Sequence, residues 1–255
     1  MKSPTGSQLP YCLQIDEIEC MRRAGKVVAE VLREMQAAVE VGISTAELDQ
    51  IATQICAKHG AISGPQEVYQ FPGFTCISLN NEAVHGIPGA RRLKSGDLVK
   101  LDVTPQLDGW IADACITVGV GEISNQSRRL MECSRYALDE AIKIARPGLP
   151  VHQIGKAVQT IVEGRGFRVL RQLCGHGVGR TIHEEPVIPN FYEPRFNAIL
   201  KAGMTLTIEP IISESTDEVN KAADGWTLVT KNGCNSAHFE HTLLITDGEP
   251  EILTI

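Results

Sequence analysis

The sequence predicts a mixed α/β protein built from two related halves. The first observation is that the chain repeats itself. Val41-Gly42-Ile43 through His59-Gly60 aligns without gaps on Pro147-Gly148-Leu149 through Arg165-Gly166 at an offset of 106, placing Leu48, Ile55 and Gly60 on Ile154, Ile161 and Gly166. Leu93-Lys94-Ser95-Gly96 aligns on Leu200-Lys201-Ala202-Gly203 at an offset of 107, and at an offset of 98 Cys76, His85 and Pro88 fall on Cys174, His183 and Pro186. The second observation is that helix-period segments are interspersed with short apolar runs bounded by turn residues. The third is that the offset of 107 carries Asp102 onto Glu209. Chance similarity of two amphipathic helix-strand units would leave those matched acids unexplained. A site on a pseudo-twofold axis between the halves draws equivalent ligands from each.

The elements follow in chain order. Residues 1–11, with two prolines among small polar residues, read as a flexible tail, and residues 12–255 as one domain. Ile15, Ile18, Met21, Val28, Leu32, Met35 and Val39 keep helical spacing, with charged residues between them. Ser44-Thr45-Ala46-Glu47 is a capping box that opens a second helix, and Gly60 should stop it. Residues 98–104 and 110–118 read as strands joined near Asp108-Gly109. Helices are expected over about 126–145, ending before Arg146-Pro147-Gly148, and over about 151–163. The last third, at 205–212, 227–230 and 239–246, reads as strands.

Composition removes several function classes. A chain of 255 residues hides roughly 70% of its unfolded surface, enough for a sizeable core. Lys and Arg number 24 against 31 Asp and Glu, a net charge of −7, which argues against a nucleic-acid binder. No stretch approaches the ~20 apolar residues that span a membrane, and the first twenty residues lack the apolar segment of a secretion signal. Eight scattered cysteines without a CxxC pair suit reduced thiols in the cytoplasm.

The chemistry lies in acids within apolar strands. Asp102 and Asp113 are eleven positions apart, and folding a hairpin midway, between Leu107 and Asp108, puts them opposite each other on one face. Opposed like charges on a sheet are destabilising and need compensation. Asp102 stands inside Leu98-Val99-Lys100-Leu101-Asp102-Val103, Glu209 closes Thr205-Leu206-Thr207-Ile208, and Glu240 lies in His238-Phe239-Glu240-His241-Thr242-Leu243-Leu244. Buried carboxylates need partners, and only Lys100 is near in sequence, so the pattern points to metal. Carboxylates with one imidazole select borderline divalent ions, and two ions bridged by carboxylates form a hydrolytic centre. The imidazole candidates are His176, flanked by Gly175 and Gly177, and His183 in Ile182-His183-Glu184-Glu185-Pro186. A phosphate cradle at Gly175, Gly177 and Gly179 is the weaker reading, because no Lys-Ser/Thr follows. His59 and His152 read as helix-surface residues, and His241 should alternate away from Glu240. His85 sits in a loop beside a strand and gains weight from its match to His183.

The ordered set Val84-His85-Gly86-Ile87-Pro88, Leu101-Asp102-Val103-Thr104, Asp113, Cys174-Gly175-His176-Gly177-Val178-Gly179, His183-Glu184-Glu185-Pro186, Thr207-Ile208-Glu209-Pro210 and Phe239-Glu240-His241-Thr242 resembles the type I methionine aminopeptidases over about residues 12–254. The resemblance implies the pita-bread α/β fold, in which a central antiparallel sheet in two pseudo-symmetric halves is covered by helices. It implies Asp102, Asp113, His176, Glu209 and Glu240 as ligands of two divalent ions, with cobalt, manganese, iron, zinc and nickel all open. It assigns Asp102 to one ion, His176 and Glu209 to the other, and Asp113 and Glu240 as bridges. The implied reaction is hydrolysis of the first peptide bond after an N-terminal methionine when the second residue is small. Glu209 would accept the proton of the attacking water, His183 stabilise the oxyanion and His85 contact the scissile nitrogen. Phe71, Cys76, Ile182 and Trp226, with Tyr69 nearby, would form the methionine slot. The implied partners are nascent chains and, transiently, the ribosome, for a cytoplasmic monomer without membrane or nucleic-acid contact.

This chain departs from the usual pattern at four places. Ala114-Cys115 follows Asp113 where small hydroxyl residues are common, and His238 replaces a glutamine two residues before Glu240. Val68 and Ile182 replace aromatics that often line the pocket. Two other functions compete: an aminopeptidase of the same fold that acts before proline, and a pita-bread paralogue that binds a protein partner without catalysis. The former normally carries a large extra N-terminal domain, and here only about fifteen residues precede the first helix; the latter usually loses ligands, and all five stand here. The helical insertion of the type II enzymes has no room between His183 and Glu209, 26 positions apart. Arg91-Arg92-Leu93-Lys94 is a possible ribosome contact that reads better as a solvated turn.

Overall fold

Local chemistry sets the helix ends. In the computed structural model, which describes residues 11–255, helix α1 spans Ile15–Ala38 and α2 spans Thr45–His59. The expected tail at 1–11 lies outside the described residues except for Tyr11. The Ser44 hydroxyl accepts the Glu47 N–H and the Glu47 carboxylate accepts the Ser44 N–H, which completes the capping box, and Gly60 closes α2 in the left-handed conformation. The first half continues through β1 (Ile62–Ser63), α3 (Gly64–Tyr69), β2 (Cys76–Leu79), β3 (Glu82–Val84), β4 (Leu98–Val103), β5 (Pro105–Leu107), β6 (Trp110–Ile111) and β7 (Ala114–Gly119).

The second half opens with α4 (Asn125–Ile144) and α5 (His152–Gly164), followed by β8 (Arg168–Val169), β9 (Cys174–Gly177) and β10 (Glu184–Pro189). It ends with β11 (Thr205–Ile208), β12 (Ile211–Ser213), β13 (Val219–Lys221), β14 (Leu228–Thr230), β15 (Ser236–His238), β16 (His241–Leu244) and β17 (Glu251–Ile252). The topology repeats as the sequence does. Strand order β2-β4-β7 in the first half corresponds to β9-β11-β16 in the second, and β1-β5-β6 to β8-β12-β15. Strands β10 and β17 extend the second of these sheets, and β13-β14-β3 forms a small sheet that joins the halves. Each half has its own core. Met21, Val28, Leu48, Ile77, Val99 and Leu101 pack in the first, and Leu138, Ile154, Val158, Leu206, Ile208 and Leu243 in the second. The halves meet where Cys115 pairs with Glu240, the Glu240 N–H donating to Cys115 O at 2.9 Å.

Two expectations are corrected. The strands expected over 110–118 and 205–212 are each broken, at Ala112-Asp113 and at Glu209-Pro210, and the strand expected over 239–246 is shortened to His241–Leu244, separated from β15 by a third break at Phe239-Glu240. At each break the chain leaves one sheet for another. Asp102 and Asp113 are also not directly opposite. The Asp108-Gly109 turn, with positive φ at both residues, pairs Leu107 with Trp110, and this register puts Asp102 against Cys115. Asp113 is therefore displaced by two residues from the position opposite Asp102. A shift of two preserves the face, so the two acids still point the same way.

Candidate metal centre

The breaks in the strands position the acids. Asp113 lies between β6 and β7, Glu209 between β11 and β12, and Glu240 between β15 and β16, while Asp102 stands near the end of β4. Asp113, His176, Glu209 and Glu240 are buried, with relative exposures of 3 to 7%, and Asp102 is partly buried. Ligand atoms of Asp113, His176 and Glu240 lie within 4.8 Å of one another, as do those of Glu209, His238 and Glu240.

Threonines fix the carboxylates. Thr104 Oγ1 donates to Asp113 Oδ1 at 2.7 Å, and Thr242 Oγ1, on the other half, accepts the Asp113 N–H at 2.9 Å. Thr207 Oγ1 accepts the His176 N–H at 3.0 Å and donates to Glu209 Oε1 at 2.9 Å. Asn190 Nδ2 holds the Glu209 backbone carbonyl at 2.8 Å. His176 Nδ1 lies 2.9 Å from the Gly177 carbonyl, which can only accept. The proton therefore sits on Nδ1, and the Nε2 lone pair faces Glu209 Oε1 at 3.5 Å. The glycines around His176 serve strand packing: a Cβ on Gly177 would stand 2.4 Å from Glu185 O.

Electrostatics show what the cluster lacks. Burial pushes Asp113 up to about 7. Burial, reinforced by the charge of Asp113, drives Asp102, Glu209 and Glu240 well above the usual carboxylate range. Burial holds the imidazoles of His176 and His238 down to about 3. Among the described residues no lysine or arginine pairs with these acids, and the buried Lys100 ammonium is spent on Asn80 O, Ser236 O and Ser236 Oγ. Buried His238 Nε2 and Glu240 Oε1 have no hydrogen-bond partner. A divalent cation matches this set: it supplies the missing charge and uses lone pairs left idle.

The remaining sequence candidates surround the acids. The His183 ring lies 4.3 Å from that of His176, and its Nδ1 is 2.5 Å from Tyr69 Oη. His85 follows β3 with φ of 59°; burial and the His183 charge lower it to about 4. Phe71 and Trp226 meet edge to face at 5.3 Å, Cys76 pairs with Asp102, and Ile182 is buried in the first core. Val68 is exposed. His241 turns away to Thr254, and His59 pairs with Glu30 outside the site. Arg91 binds Glu82 through both outer nitrogens, Arg92 binds Gly42 O and Glu47, and Leu93 is buried, so this basic run is a self-paired turn. Sequence reasoning missed the anchoring role of Thr104, Thr207 and Thr242. Their spacing offered a signal for Thr207, which precedes Glu209 by two residues and so shares its face.

Comparison with known proteins converges on one group. Residues 19–247 match the family model described as metallopeptidase family M24. The chain is 42% identical to methionine aminopeptidase 1 of Bacillus subtilis, over 95% of this chain and 98% of that one. It is 40% identical to the methionine aminopeptidase of Escherichia coli, over 94% and 92%. The methionine aminopeptidase of Thermotoga maritima superposes with a TM-score of 0.94 at 39% identity, covering 96% of this chain and 99% of that one. A prolidase from Pyrococcus furiosus, 23% identical with a TM-score of 0.78 over 96% of this chain and 65% of its own, shares the pita-bread fold.

Proposed function

The chain belongs to metallopeptidase family M24, and on that premise we infer that it is a methionine aminopeptidase, a metal-dependent hydrolase that removes the N-terminal methionine of polypeptides. The observation that carries the reading is the buried carboxylate cluster with idle donors and no cationic side chain. Residues 12–255 form the catalytic domain in this reading. Asp102, Asp113, His176, Glu209 and Glu240 hold two divalent ions. Bound divalent ions supply Lewis-acid polarisation of the carbonyl and acidify water.

The chain's own groups do the rest. Glu209, fixed by Thr207 at Oε1, would take the proton of the attacking water at its other oxygen and pass it to the scissile nitrogen as the C–N bond breaks and the amine leaves. Tyr69 Oη lies 2.5 Å from His183 Nδ1 and holds the ring, so that Nε2, when it carries the proton, would meet the developing oxyanion. His85 is neutral near pH 7 and accepts a hydrogen bond from the scissile nitrogen. Phe71 and Trp226, with Cys76 and Ile182, receive the methionine side chain. The second residue of the substrate must be small. Nascent chains are the substrate, met at the ribosome by a cytoplasmic monomer; no helix of the described residues is long and apolar enough to cross a membrane.

The test is metal content after purification, then methionine release from Met-Ala-Ser and Met-Lys-Ser peptides with and without chelator. The reading expects chelator-sensitive release from the first peptide alone. Equal rates on both, or full activity in metal-free protein, would overturn it. Release of the first residue only ahead of proline would favour the prolidase-like alternative, and metal-free binding of a protein partner the non-catalytic one.

A further inference from the structure

The acid cluster receives a second buried imidazole. His238 ends β15, and its main chain is clasped by Thr117 of the first half: the His238 N–H donates to Thr117 Oγ1 at 2.9 Å, and Thr117 Oγ1 donates to His238 O at 2.7 Å. Ala237 and Phe239 enter the second core, while His238 and Glu240 turn toward the acids. The His238 side chain is 3% exposed. Its Nε2 stands 3.4 Å from Glu240 Oε2 and 3.8 Å from Glu209 Oε2, yet it hydrogen-bonds to neither.

Two roles fit an imidazole between carboxylates. A donor would close on one oxygen at about 2.7–2.9 Å in line with its N–H. Instead the nitrogen is held off both oxygens at comparable distances. Nitrogen and oxygen ligands about 2.1 Å from a common tetrahedral ion stand roughly 3.4 Å apart, which matches the 3.4 Å to Glu240 Oε2, with Glu209 Oε2 slightly farther at 3.8 Å.

We propose that His238 is a metal ligand, joining Glu209 and Glu240, so that this chain brings two imidazoles to its metal centre. The proposal rests on the metal-dependent reading above. A second nitrogen donor moves the site's preference from manganese toward zinc, cobalt and nickel.

Cobalt(II)-loaded protein tests this by proton NMR, where each ligating imidazole gives a strongly shifted, solvent-exchangeable N–H resonance. Zinc and manganese affinities are measured alongside by competition with a chelator. Wild type should show two such resonances, His176→Gln and His238→Gln one each. Zinc affinity should fall at least tenfold in His238→Gln, and manganese affinity less. His238→Leu, close in volume and without nitrogen, replaces His238→Gln should that variant fail to fold. A single resonance in wild type, or two that persist in the His238 variants, overturns the proposal and leaves the metal-dependent reading intact. Wild type that takes up neither cobalt nor zinc overturns both.

Discussion

Replacing Asp113 by asparagine keeps the shape of a side chain that accepts a hydrogen bond from Thr104 Oγ1 at 2.7 Å, and removes its charge. In the metal-free protein, burial raises this carboxyl from 3.8 to about 7. Below pH 3.8 it is protonated in both the folded and unfolded chains and contributes nothing. Between 3.8 and 7 the unfolded chain gives up the proton and the folded chain keeps it. Stability therefore falls with rising pH, by about 1.4 kcal/mol per unit. Above pH 7 both states are ionised and the penalty is constant, near 4 kcal/mol. Metal-free wild type should thus match Asp113→Asn near pH 4 and be about 4 kcal/mol less stable at pH 8. Asp102, Glu209 and Glu240, whose ionisation the charge of Asp113 opposes, ionise more readily in the variant, which widens the difference in the same direction. Saturating zinc or manganese should reverse the order, because the ionised carboxylate then meets a cation and the amide loses a ligand. Urea unfolding in chelator and in metal, from pH 4 to 8, gives the comparison. A metal-free difference that stays flat, or favours wild type at high pH, would refute the account of Asp113 as a buried acid waiting for a cation.

Three further outcomes follow from the same geometry. Glu209→Gln should fold, with kcat reduced by roughly 100-fold or more as the proton acceptor is lost; near-normal kcat at full metal occupancy removes Glu209 from proton transfer. Thr207→Val strips a donor from Glu209 and an acceptor from the His176 N–H, and should cost about 1–3 kcal/mol in urea unfolding together with a lower kcat; an effect on stability without any on kcat would make Thr207 purely structural. Gly177→Ala places a Cβ 2.4 Å from Glu185 O, so β9 and β10 must separate; a loss of about 1–3 kcal/mol is expected, and an unchanged unfolding midpoint would show that the strands yield freely.

Internal repetition made the architecture legible. The offset of 98 that aligns Cys76 with Cys174 is the offset between β2 and β9, and the offset of 107 that aligns Asp102 with Glu209 is that between β4 and β11. Helix ends were readable because Ser44, Glu47 and Gly60 act locally. The strand breaks were not, because Thr205-Leu206-Thr207-Ile208-Glu209-Pro210-Ile211-Ile212 and the stretch through Phe239-Glu240 are buried almost throughout, polar residues included, and a run that is buried on both sides carries no period to mark where it changes sheet. Nor was the register of the Asp102–Asp113 hairpin, because the turn centred on Asp108-Gly109 lies one residue beyond the assumed midpoint and moves the pairing by two. The acid pair survived that error because an even shift conserves the face. The breaks themselves explain why three of the four acids lie where they do. A chain that switches sheets interrupts its ladder, and its exposed backbone groups must find partners. Asp113 N finds Thr242 Oγ1, Glu240 N finds Cys115 O, and Glu209 O finds Asn190 Nδ2, and two of these three contacts cross between the halves. At these crossings Asp113, Glu209 and Glu240 turn toward the acid cluster while Ala112 and Phe239 enter the cores. A fold assembled from two repeats, each of which switches between its own two sheets at the seam, therefore concentrates inward-facing positions along one axis, and in this chain carboxylates occupy them.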